Sequence, residues 1–104
     1  MYPLILRLAR VPGSWPSDGS HALQSATVTA GAAVGARVEH VLARRAAAFD
    51  GWELAAFVSA QSVDEAEVAG IAIGRFLEGL GLVLVACEVH INAELLAHWM
   101  GPAP

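Results

Sequence analysis

Glu88 and His90 stand two residues apart in the apolar run Leu82 to Ile91, which reads as a strand, so both side chains leave the same face. A carboxylate beside an imidazole can orient the ring for general acid–base work, and with a third ligand the pair can hold a metal. His98, on a short helix expected over residues 93–100, is placed to approach them. Arg45 is the next candidate. A helix expected over residues 31–49 sets it near the centre of a stripe formed by Val34, Val38, Val41, Leu42 and Phe49. Its charge there either snorkels past the sheet edge at the helix C-terminus or pairs with a carboxylate such as Glu53 or with an anionic ligand. A pocket near Glu88, His90 and Arg45, with His98 beside it, is the arrangement of a small-molecule-binding protein or a small acid–base enzyme.

Other residues carry less chemistry. Arg37, His40 and Arg44 fall on the outward side of the same expected helix and read as a solvated face. Cys87 lies inside an apolar strand with no basic neighbour in sequence to stabilise a thiolate, so it reads as an inert core residue. Gly31 and Gly35 resemble a phosphate loop only superficially, because both the Gly-x-Gly-x-x-Gly spacing and the Gly-Lys-Ser/Thr ending are missing. Trp15 and His21 belong to or follow a loop rich in Pro, Gly and Ser that can serve as a lid or an anchor. The sequence holds no nucleophile elbow, zinc-protease helix or calcium loop, and no cofactor or metal is expected.

These residues need elements to position them. Residues 3–10 alternate, with Leu4, Leu6 and Leu8 on one side and Ile5, Arg7 and Ala9 on the other, which is the period of a first strand. A loop follows from Val11 to Gly19, and residues 20–30 read either as a short extra strand or as an early turn of the next helix. After the 31–49 helix, Trp52 to Ala60 forms a second strand. Ser62-Val-Asp-Glu65 is then a capping box that starts a helix at Val63, with Asp64, Glu65 and Glu67 favouring its positive end. Ala69, Ala72, Ile73, Phe76 and Leu80 are expected on its buried stripe, and Gly79-Leu-Gly81 ends it. Gly70 and Gly74 make a smooth strip on this helix, suited to close approach of a neighbour.

Strands alternating with helices predict a two-layer α/β (α+β) sandwich. Its three- to four-stranded sheet has two main helices on one face, arranged either as a ferredoxin-like fold or as a small, mainly parallel βαβαβ unit, with a short C-terminal helix. The 104 residues fit one domain, 1–104. Two helices cover one face only. On the third strand Val83, Val85, Cys87, Val89 and Ile91 are the row suited to the helices, leaving Leu84, Ala86, Glu88 and His90 on the other face. Leu84 and Ala86, with Val68 and Ile71 on the second helix and Trp99 on the last, are therefore the expected interface residues.

Composition points the same way. The chain is 56% hydrophobic and 15% charged, against about 45–50% and about 25% in ordinary soluble domains. A body this small has too much surface to hide that excess, although the many alanines moderate it. A net charge of −4 disfavours a nucleic-acid binder. The longest apolar run is far shorter than a membrane span needs, and Arg7 and Arg10 interrupt the N-terminal run where a signal peptide would be unbroken. With a single cysteine, nothing requires an oxidising compartment. The expectation is a cytoplasmic binding or assembly module that acts as a homo-oligomer, a dimer being favoured, or docks to a larger protein partner. It uses no nucleic acid and no membrane. The enzyme or small-molecule pocket is the alternative.

Overall fold

A computed structural model describes residues 1–11 and 20–91 of the chain. They form β1 (Tyr2–Arg10), α1 (Ser20–Ala33), β2 (Val38–Arg45), β3 (Gly51–Val58), α2 (Val63–Glu78) and β4 (Leu82–Val89). The four strands make one sheet in the order β2-β3-β1-β4, with every neighbouring pair antiparallel. This α+β arrangement is compatible with the ferredoxin-like alternative and rules out the mainly parallel one. The expected loop tip over 12–19, with Trp15, and the C-terminal helix with His98 and Trp99 lie outside the described residues.

Strand β1 organises the interior. Leu4, Leu6 and Leu8 are almost wholly buried on the helix side, where they meet Leu54, Trp52 and Val58 of β3, Leu23 and Ala30 of α1, and Ala66, Ile73 and Leu77 of α2. Burying each leucine is worth on the order of 2 kcal/mol, so this single row anchors both helices to the sheet.

The first half of the helical reading needs correction. The 31–49 helix does not exist. Residues 20–33 form α1 instead, Val38–Arg45 is strand β2, and the fourth strand is β2 rather than the 20–30 segment. Helix α1 buries Leu23, Thr27 and Ala30, a stripe with only one large apolar side chain. Buried Thr27 is accommodated because its hydroxyl donates to the Leu23 carbonyl at 2.7 Å. The helix stops at Gly35, whose φ of +76° permits the left-handed turn. The Gly35 amide donates to the Ala32 carbonyl and the Ala36 amide to the Gly31 carbonyl, which completes a Schellman motif.

Helix α2 starts as expected. Ser62 caps it by accepting from the Glu65 amide at 3.1 Å. Its buried stripe, however, is Ala66, Gly70, Ile73, Gly74 and Leu77, while Phe76 and Leu80 are exposed. Small residues at the centre of that stripe let the helix settle onto the sheet and leave the larger Phe76 at its flank. A Cβ at Gly70 would lie 2.8 Å from Cys87 Sγ, and one at Gly74 would lie 2.7 Å from Leu84 Cδ2. The C-terminal end is tied to β4 by the Leu84 amide, which donates to Glu78 Oε2 at 2.9 Å.

Alanine ordinarily gains about 1 kcal/mol over glycine within a helix, yet Gly74→Ala should lower the melting temperature, because three atoms of Leu84 already occupy the space. A variant as stable as the parent would show that Leu84 moves freely. The Glu78 carboxyl is held below its ordinary value of 4.5, first by the Leu84 amide and then by Arg75. Its stabilising effect is therefore complete above that value and disappears as pH falls through the lowered one. Thermal melts should show Glu78→Gln less stable than the parent at neutral pH, with the gap closing in strong acid; a constant gap would refute the linkage.

Candidate functional site

The face of the sheet turned away from the helices is built from the residues that alternate with the buried rows. The register places Arg7 opposite Glu53, Ile5 opposite Ala55, and Pro3 opposite Phe57 between β1 and β3. Arg44 pairs with Glu53 and Leu42 with Ala55 between β2 and β3. On the other side of β1, Ala86 pairs with Arg7, and Glu88 with Ile5. Two chemical zones result. One is apolar, around Ile5 and Ala55, both buried, with Phe57 packed on them.

The other zone is an ion row that crosses all four strands. Arg44 Nε donates to Glu53 Oε1 at 3.1 Å, and Arg7 Nε donates to Glu53 Oε2 at 3.1 Å. Arg7 also ion-pairs with Glu88, and Glu88 Oε1 lies 3.6 Å from His90 Nε2. The sign alternates from β2 to β4. Glu53, with 14% of its side chain exposed, sits between two guanidinium groups, whereas Arg44 and Glu88 at the ends are 45% and 43% exposed.

Bulges decide what joins this face. The register of β4 slips between its partners Arg7 and Leu8, leaving Val85 as an extra residue. Beyond the slip Cys87 and Val89 pack on the main core, and before it Leu82 and Leu84 do. The assignment of faces made from strict alternation is thus corrected for half the strand: Leu84 points to the helices, while Val83 and Val85, at 47% and 58% exposure, point with Ala86 and Glu88 to the open side. A second slip, in β2 between Glu39 and Leu42, contains His40 at φ +55°. The His40 ring meets Phe57 edge-on at 5.7 Å.

The sequence-derived candidates are therefore divided. Glu88 and His90 share the open face, but 3.6 Å exceeds hydrogen-bonding distance, and the Glu88 carboxylate is engaged by Arg7. His90 Nε2 is buried and has no hydrogen-bond partner among the described residues. Arg45 is not beside them. It lies on β2 opposite Trp52, over whose ring its guanidinium sits at 5.5 Å, and it pairs with Asp50 at 3.5 Å; Glu53 belongs to Arg44 and Arg7 instead. Arg37 pairs with Glu39, and Arg44, expected on a solvated helix face, is an end of the ion row. Burial, with Glu67 nearby, pushes the Cys87 thiol up to about 11, which leaves it protonated at neutral pH. Val68 and Ile71 are exposed on the outer side of α2, away from the sheet. His21 is exposed on α1.

Arg7, Glu53, Val83 and Val85 were not singled out in the sequence as parts of one face. The available signal was a charge of opposite sign set between apolar neighbours in each of two strands, Arg7 between Leu6 and Leu8 and Glu53 between Trp52 and Leu54. Among the described residues no group of three or more His, Cys, Asp or Glu is placed to hold a metal ion. No helix among them is long and apolar enough to cross a membrane. The sequence matches no family model and no curated protein, and no solved structure matches the chain.

Glu53 is the centre of the row, so its removal should be the costly one. Glu53→Gln should lower unfolding free energy by about 2 kcal/mol, as expected when charged hydrogen bonds are lost from a half-buried site. Arg44→Gln should cost under about 1 kcal/mol because the side chain is half exposed. Urea denaturation of both variants measures the difference, and equal losses would show that the row has no centre.

Proposed function

We propose that this chain is a small binding and assembly module that works through the open face of its sheet, by associating with further copies of itself or by docking to a larger protein. The observation that carries the reading is the exposure of Val83 and Val85 on β4, beside the ion row of the same face. Exposed apolar side chains scattered singly need no partner, but neighbouring ones rimmed by charges resemble a recognition surface.

The strand and helix order βαββαβ, with sheet order β2-β3-β1-β4, supports ferredoxin-like as the finer description of the fold. Half-buried Cys87 asks for no oxidising compartment, in keeping with a cytoplasmic setting. The net charge of −4 and the neutralised arginines of the open face favour a protein partner over nucleic acid. An acid–base pocket finds less support, because Arg45 stands apart and Glu88 is occupied by Arg7.

Light scattering over a range of concentrations tests the reading. The particle mass should rise above 10.8 kDa for the parent chain. Val85→Asp should hold it at the monomer value, while Val68→Asp on the far side of the molecule should behave like the parent. Dispersal by Val68→Asp and not by Val85→Asp would move the interface to the helices and end the proposal.

A further inference from the structure

The sheet has two edges among the described strands, and they are not alike. Strand β2 forms one and ends in Arg44 and Arg45, charges that discourage a further strand. Strand β4 forms the other, and the exposed apolar side chains Val83, Val85 and Ile91 follow one another along it. Above them runs a stripe of α2 made of Glu67, Ile71, Arg75 and Glu78, all but Glu78 exposed. The stripe overhangs the edge, because Glu67 lies near Cys87 and Glu78 accepts from the Leu84 amide.

The backbone of β4 fixes where another strand can join. His90 donates its amide to the Pro3 carbonyl, so His90, Glu88 and Ala86 turn toward β1, while Cys87 and Val89 turn outward by alternation. The Leu84 amide is held by Glu78, and the bulge at Val85 interrupts the ladder. Pairing with an identical strand is therefore centred between Ala86 and Val89. A two-fold axis at Ala86 draws bulged Val85 into the ladder, and one at Glu88 opposes Glu88 to itself. An axis at Val89 brings the acidic starts of the two α2 helices together. Only an axis at Cys87 avoids all three.

Resting on the reading above, we infer that the partner is a second copy of this chain, joined edge to edge through antiparallel β4 strands about a two-fold axis perpendicular to the sheet at Cys87. The two sheets become one. Cys87 exchanges amide and carbonyl with Cys87 of the second copy, and Val85 meets its counterpart diagonally on the open side. The helices fit the same axis. A Cβ on Gly70 would lie within 4 Å of Cys87 on β4 and of Leu4 and Leu6 on β1, so α2 runs over the gap between these strands. With strands about 4.8 Å apart, the two α2 helices lie about two strand spacings, or about 10 Å, from each other, as packed helices do. They run antiparallel, which sets Ile71 against Ile71 of the second copy and Glu67 against Arg75 of the second copy. Glu78 engages Nη1 of Arg75, and the rest of the guanidinium fork serves the contact across the axis. The interface is isologous and its ladder short, so association belongs to high micromolar concentrations.

Charge reversal on α2 tests the axis. Glu67→Arg and Arg75→Glu should each weaken self-association about tenfold in light scattering, because each opposes like charges twice across the axis. An equimolar mixture should form a heterodimer with affinity near that of the parent, since both contacts then join opposite charges; native mass spectrometry separates it from either homodimer by mass. A mixture that associates no more tightly than the single variants overturns the inference. If that happens while Val85→Asp still disperses the parent dimer, the open face remains the binding surface and only this edge contact falls. A parent chain that stays monomeric at high micromolar concentration removes the second copy as partner and leaves docking to a larger protein.

Discussion

Strand β1 has to satisfy two environments at once, and that constraint shapes the rest of the molecule. It lies inside the sheet, paired with β3 on one side and β4 on the other, so its backbone is fully committed. Its alternate side chains then have no freedom of face. Leu4, Leu6 and Leu8 form the floor of the helix-side core, and Ile5 and Arg7 form the centre of the open side. A slip of one residue would bury Arg7 under the helices and expose three leucines. The ion pairs of Arg7 with Glu53 and Glu88 reinforce this register, because they link β1 to both neighbours on the face where hydrophobic burial is weakest.

The parts of the fold legible in the sequence are those whose period is unbroken. The alternation of β1, the cap at Ser62 and the run of β3 all translate directly into structure. Strand β2 was misread for a definite reason. Its bulge inserts a residue near His40, so Val38 and Val41, three apart, both reach the core. Three-residue spacing between inward apolar residues is a helical signal, and the flanking alanines strengthened it. The same event in β4 explains the misplaced faces. Inward residues Leu82 and Leu84 are followed by Cys87 and Val89, and the change of parity at Val85 and Ala86 is invisible to a period-two reading. Helix α1 was obscured differently, because Leu23 is the one large apolar residue on its buried stripe and the β-branched residues Thr27, Val28 and Thr29 imitate a strand.

The candidate site was legible as chemistry but not as geometry. Glu88 and His90 do share a face, since they lie on the same side of the bulge. Arg45 was drawn toward them only by the helix that does not exist. Once Val38–Arg45 is a strand, adjacent Arg44 and Arg45 must face opposite ways, and it is Arg44 that reaches the acids.

Position within the row also separates a binding surface from a catalytic one. A carboxylate acting as a base, or orienting one, needs an oxygen aimed at the reacting proton or at its imidazole partner. Here Glu53 is held by two arginines and Glu88 by one, and the His90 ring stands just beyond bonding reach. Groups already compensated in this way gain little from a small substrate, yet they are well suited to a flat partner. A flat partner can extend the alternating charges without desolvating any of them alone, while Val83 and Val85 supply the apolar area that charge pairs do not.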